Sequence, residues 1–118
     1  MAVTASASGT QTAEVTTEHQ LADTYVAGTY TFHVDTVNLA AGDVVELRIY
    51  QMILNGGTAR VIYSTRYAGA QPTDDLIKVS VPVSSELGSA SPSVALRFSL
   101  KQTFGTSRNF PWKVLKYA

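Results

Sequence analysis

The chain has 118 residues, 45% of them hydrophobic, which is room for one domain burying roughly two-thirds of its unfolded surface. Nine Lys and Arg balance nine Asp and Glu, and there is no cysteine; disulfides, thiolate metal sites and thiol nucleophiles are excluded together, as suits a protein made inside a cell. Uninterrupted apolar stretches are only a handful of residues long, far short of a spanning helix, and the opening MAVTASASGT lacks the basic start and apolar run of a secretory signal, so no export is expected.

Residues 2–12 are small and polar apart from Val3, and an extended N-terminal arm is expected over residues 1–11, either loose or an edge strand completed by a partner. The domain proper is expected over residues 12–118. A short strand is predicted over Thr12–Thr17 and another over Gln20–Val26. From Gly28 the period becomes two: Tyr30, Phe32 and Val34 oppose Thr29, Thr31 and His33, and Val45, Leu47 and Ile49 oppose Val44, Glu46 and Arg48. Side chains alternate faces along a strand, so both segments are strands with one buried face. Between them VNLAAGD reads as a compact turn with Leu39 inward and Gly42 at positive φ. Asn55-Gly56-Gly57 marks a hairpin joining Val44–Leu54 to Thr58–Tyr67, because both Asn and Gly tolerate the positive φ of primed turns.

Leu76–Val83 alternates again, but Pro82 removes a ladder donor and places the run at an edge or a strand end. Ser84–Pro92 reads as a loop with room for one helical turn. In Val94–Thr103 the set Val94, Leu96, Phe98 and Leu100 opposes Arg97, Ser99 and Lys101. A loop through FGTSRN leads to a last strand, Phe110–Tyr117. Seven or eight short strands without an amphipathic helix predict an all-β fold: one antiparallel β-sandwich, jelly-roll-like, with an immunoglobulin-like sandwich as the alternative.

Little in the chain speaks of catalysis. The two histidines, His19 and His33, lack ligand-spaced companions. The serines sit in no nucleophile elbow, and Asp74-Asp75 reads as turn and edge protection. Gly56-Gly57 belongs to the hairpin and no phosphate loop follows. No enzyme activity, cofactor or metal is expected. Basic and aromatic residues interleave from Arg97 to Tyr117, as in single-strand binders, but the net charge of zero argues against nucleic acid as a partner. Trp112 or Tyr25 could serve a glycan platform.

Charge is segregated along the chain. Residues 1–47 hold six carboxylates and no Lys or Arg, whereas all nine cations lie from Arg48 onward. Acidic early strands are expected to pair with basic late ones within one sandwich, or between neighbouring subunits. Ser and Thr, 25 residues in all, supply much of the polar surface. A sparse hydroxyl surface of this kind suits packed β interfaces.

The segments GTYTFHVDTVNLAAGDVVELRI and SLKQTFGTSRNFPWKVL resemble small β-structured virion proteins of tailed bacteriophages, of the type that decorates or cements a capsid. The resemblance covers Gly28–Leu54 and Phe98–Leu115 and consists of strand and turn patterns. It implies a non-enzymatic structural role on the capsid surface of the virion, for a protein made in the host cytoplasm. The implied partners are the major capsid protein and copies of the chain itself, as a homo-oligomer on the particle spanning subunit joints, with no membrane involved. No functional residues transfer position by position. The contact elements expected on this reading are the arm, with Ala2, Val3, Thr4 and Ala5, and the late loop, with Phe104, Thr106, Ser107, Arg108 and Asn109. A glycan-binding module associated with a tail or fibre is the competing class.

Overall fold

A computed structural model describes residues 2–54, 56–87 and 95–117. Nine strands make up the described residues: β1 Val3–Thr12, β2 Glu18–Thr24, β3 Gly28–Asp35, β4 Val44–Gln51, β5 Arg60–Ala68, β6 Ile77–Val79, β7 Val83–Ser85, β8 Leu96–Phe104 and β9 Asn109–Tyr117. One sheet has the order β1-β9-β3-β6, with β7 also on β3; the other has the order β2-β8-β4-β5. Every pair is antiparallel. The chain is thus a ribbon folded back on itself, in which β1, β2, β3 and β4 pair in turn with β9, β8, β6 plus β7, and β5. The two sheets pack as a sandwich.

The alternation read from sequence decides which side chains lie between the sheets. Tyr30, Phe32 and Val34 of β3, Val45 and Ile49 of β4, and Leu96, Phe98 and Leu100 of β8 are all fully buried. Phe110 and Val114 of β9 join them. Phe98 reaches across from its sheet to Tyr30 and Phe32, with ring centroids 6.2 and 5.6 Å apart. Tilted and edge-on geometries of this kind add to the burial of the rings themselves. Leu39 is buried, as expected, and Gly42 has φ +89° at the third position of the turn closed by Asp43 N–H on the Ala40 carbonyl, a position that needs positive φ.

The structure differs from the sequence reading at five places. Of the segment expected as an arm, residues 1–11, the part from Val3 on is extended but lies within the sandwich: β1 pairs with β9 from Val3–Tyr117 to Thr12–Asn109. Gly9 lies against the Trp112 indole, where a Cβ would make ordinary contact at 3.4 Å. Of the strand expected over Thr12–Thr17, only Thr12 is extended, as the last residue of β1, and the chain then turns, with Thr17 N–H donating to the Glu14 carbonyl. The hairpin strands stop short of Asn55-Gly56-Gly57, at Gln51 and Arg60. Met52 leaves the ladder because its side chain is buried and its N–H donates to Ala95 of the neighbouring connection; Asn55 lies outside the described residues. Leu76–Val83 is broken at Pro82 into β6 and β7. Across the break Ser80 takes over the ladder, its Oγ accepting from Phe32 N–H and its own N–H donating to the Phe32 carbonyl, both at 2.9 Å. Of the expected Ser84–Pro92 loop, Ser84 and Ser85 belong to β7, and residues 88–92 lie outside the described residues, as does Val94.

Truncating Phe98 to Ala is expected to cost about 3–5 kcal/mol, as for other buried aromatics, whereas Val61→Ala on the exposed side of β5 should stay within about 0.5 kcal/mol. Urea unfolding followed by tryptophan fluorescence measures both.

Candidate functional site

The two groups of residues singled out in the sequence occupy opposite ends of β1. Val3, Thr4 and Ala5 pair with Tyr117, Lys116 and Leu115, while Thr12 pairs with Asn109. Ala2 precedes the strand and is exposed. Nine steps of strand separate Val3 from Thr12, roughly 30 Å. The structure therefore does not gather them into one patch. It sets them at the two ends of β1, with Asn109 alone of the loop residues paired to that strand.

The late loop is tied down by a buried carboxylate. Asp43 is 1% exposed and accepts from Ala40 N–H at 3.0 Å, Thr106 N–H at 3.0 Å and Arg108 Nε at 2.7 Å. Burial alone would push its carboxyl up, but these donors outweigh burial and hold it below the usual carboxylate range. Gln102, fully buried, donates to the Phe104 and Thr106 carbonyls and accepts from Arg108 N–H. Ser107 Oγ donates to the Ala13 carbonyl, and Thr12 Oγ1 donates to Asn109 Oδ1 at 2.7 Å. Gly105, at φ +97°, turns the chain where a Cβ would fall 2.0 Å from Asp43 Oδ1. Of the loop residues named from sequence, Thr106, Ser107, Arg108 and Asn109 thus hold the loop's own shape. Phe104, 68% exposed, points outward.

The four sheet edges are treated differently. On β2 stand Glu18, His19 and Asp23, with a register shift between Gln20 and Ala22. Strand β5 carries Arg60 and Arg66, and its register shifts opposite Ile49 and Tyr50. The third edge is broken into two three-residue strands around Pro82. Short edges, charges, bulges and proline all deter pairing with other chains. Strand β1 is ten residues long and contains no charge and no proline. Its one irregularity lies between Ala5 and Ala7, and from Ala7 to Thr12 the register runs unbroken. Among the described residues β1 pairs on one side only, leaving backbone groups along its outer side.

The broad faces carry less. Outside the β2-β8-β4-β5 sheet, Glu18 accepts from Tyr50 OH, Ser99 Oγ and Arg48 at 2.6, 2.7 and 2.8 Å. Burial pushes its carboxyl up, but these hydrogen bonds, with the charges of Arg48 and Lys101, bring it below the ordinary value. Arg48 also pairs with Glu46 and Arg97 with Asp23. Four of the six early carboxylates are therefore paired with arginines of the later half inside one chain. On the opposite face, Thr31 Oγ1 bonds His33 Nε2 at 2.8 Å and Tyr117 OH at 3.0 Å. Burial and the neighbouring Lys113 lower the pKa of His33, so it is neutral at pH 7. His19 Nε2 accepts from Glu14 N–H. Ser8, Thr10, His33, Lys113 and Trp112 border a shallow open depression of about 390 Å³. Trp112 is half-buried against the core. Tyr25 follows β2, whose Thr24 end lies beside Gln51 and Leu96, at the far end from the Thr12–Asn109 pair. The two aromatics share no platform.

No family model, curated protein or solved structure matches the chain. What sequence reasoning missed here is Asp43, which looked like one more polar turn residue. The available signal was its place after Gly42, facing a Gly-Thr-Ser-Arg loop that only the fold brings near.

Replacing Asp43 by Asn should cost about 1–3 kcal/mol at pH 7, the range for stranding buried polar partners. A carboxyl whose folded pKa is depressed contributes stability above the unfolded value, about 3.9, and that contribution is lost as pH falls through the folded value. Wild-type stability should accordingly decline below about pH 4, with Glu18 adding to the loss. The gap to Asp43→Asn should narrow over the same range, as read by urea midpoints across a pH series.

Proposed function

We propose that this chain is a non-enzymatic structural protein of a bacteriophage virion, of the capsid cement or decoration type, bound to the shell across subunit joints. The observation that carries the reading is the uncharged, proline-free outer edge of β1. An edge with no charge and no proline, whose register runs unbroken from Ala7 to Thr12, is a template for strand addition, where main-chain hydrogen bonds supply the affinity and small side chains leave room for the incoming strand. The sequence resemblance supports the same role, with the shell protein and further copies of the chain as partners. In this reading the folded-back ribbon is a jelly roll, since its first and last strands lie side by side; an immunoglobulin-like sandwich sets its first two strands in one sheet.

A glycan-binding tail module is the second reading, and the hydroxyl-lined depression beside Trp112 is what favours it. A glycan array distinguishes the two, because a cement protein should show no sugar preference.

Quantitative mass spectrometry of particles of the virus that carries the gene tests the primary reading. A copy number comparable to that of the shell subunit is expected, and absence or a few copies would overturn it. Ser8→Lys combined with Thr10→Lys, both exposed on β1, should lower occupancy on particles without changing the melting temperature by more than a few degrees. Unchanged occupancy would remove β1 from the contact.

A further inference from the structure

Strand β1 is held differently from every other long strand. No β1 side chain belongs to the buried core cluster, which begins at Ala13. The strand is half-buried only at Ala7 and Gln11, so its attachment rests on the main-chain ladder to β9 and on Gly9 beneath Trp112. A strand attached in this way satisfies the same partners whichever copy of the chain supplies it.

The connection to β2 is short and strained. Residues 13–17 cross from one sheet to the other, and within them Thr16 has φ +72°, the one non-glycine residue at positive φ among the described residues. A β-branched residue in the left-handed region is an outlier, and such strain persists only where its surroundings impose it. Here Thr16 N–H is pinned to the Gln102 carbonyl at 2.7 Å and Thr17 N–H to Glu14 at 3.0 Å. Opening this turn into extended chain would relieve Thr16 while leaving β1 free to pair elsewhere. Short hinge loops under strain favour exchange of an element between copies.

We infer that β1 is exchanged between copies of this chain, the β1 of one protomer completing the sheet of a second by pairing with its β9. Charge does not oppose the arrangement, because β1 is neutral. Ala13, with its N–H on the Arg108 carbonyl and its own carbonyl bonded by Ser107, travels with the strand and makes the same contacts in the second copy. The inference deepens the reading of β1 as the contact element, but it does not need the virion assignment.

The absence of native cysteine gives a direct test. Ser8 and Lys113 are register partners, both exposed. The double variant Ser8→Cys, Lys113→Cys should therefore close a disulfide within one chain if β1 stays home, and between chains if it is exchanged. After refolding at high protein concentration and oxidation, a non-reducing gel should show covalent dimers or longer species, in a fraction that rises with concentration and exceeds that of either single-cysteine variant. Intrachain-linked monomer alone at every concentration would overturn the inference. Thr16→Gly tolerates the closed turn and should reduce the interchain fraction severalfold; an unchanged fraction would count against the hinge. Light scattering on the unmodified chain gives an independent reading, and a 12.7 kDa monomer under all refolding conditions would also overturn it. A chain abundant on virions yet never exchanged would sink this inference and leave the proposed function standing.

Discussion

The Asp43 carboxylate is the constraint on which the rest of the structure depends. A buried charge is costly unless it is both paired and hydrogen-bonded. Asp43 meets that condition through the turn before β4, at Ala40, and the β8–β9 loop, at Thr106 and Arg108, while its main-chain carbonyl, accepting from Gly69 N–H at 2.8 Å, adds the start of the β5–β6 connection. One residue thus joins three connections at one end of the sandwich. Glycine is imposed at 105 by the same carboxylate, since any side chain there would occupy its space.

From that end the ordering passes to β1. Arg108 and Ser107, positioned by Asp43 and Gln102, bond the two backbone groups of Ala13, and Asn109 bonds Thr12. The end of β1 is fixed by polar contacts, while its body adds almost nothing to the core. This asymmetry sets the character of the molecule. The strand is well placed and weakly packed, and its outer side is left without the charges and breaks that guard the other three edges. The proposed role and the proposed exchange both follow from that difference.

The segregation of charge along the chain has an internal explanation in the pairing of early acids with late arginines. Because the ribbon folds back, β2 meets β8 and β4 lies between β8 and β5, so acids of the first half stand opposite bases of the second. Glu18, Glu46 and Asp23 are satisfied on one face of one sheet, and Asp43 at its end. Partly exposed pairs of this kind contribute modestly to stability. Between strands they also favour one register, because a one-residue slip of β2 would move Glu18 and Asp23 to the opposite face from Arg48 and Arg97.

The alternation in Gly28–Asp35, Val44–Gln51 and Leu96–Phe104 determined by itself that these segments are strands with one buried face and which side chains fill the core, because a period of two has only one way to bury an apolar face. The positive φ at Gly42 and the break at Pro82 were legible for the same reason: they are local properties of one or two residues. Tertiary structure alone decided that residues 3–12 join the sheet, since nothing in a run of Ser, Thr and Ala names its partner and only the backbone of β9 selects it. It also decided that Arg108 and Thr106, which read as surface residues of a contact loop, close instead on Asp43. That meeting spans 65 positions for Arg108, and long-range pairings are set by the path of the whole chain, which local pattern does not encode.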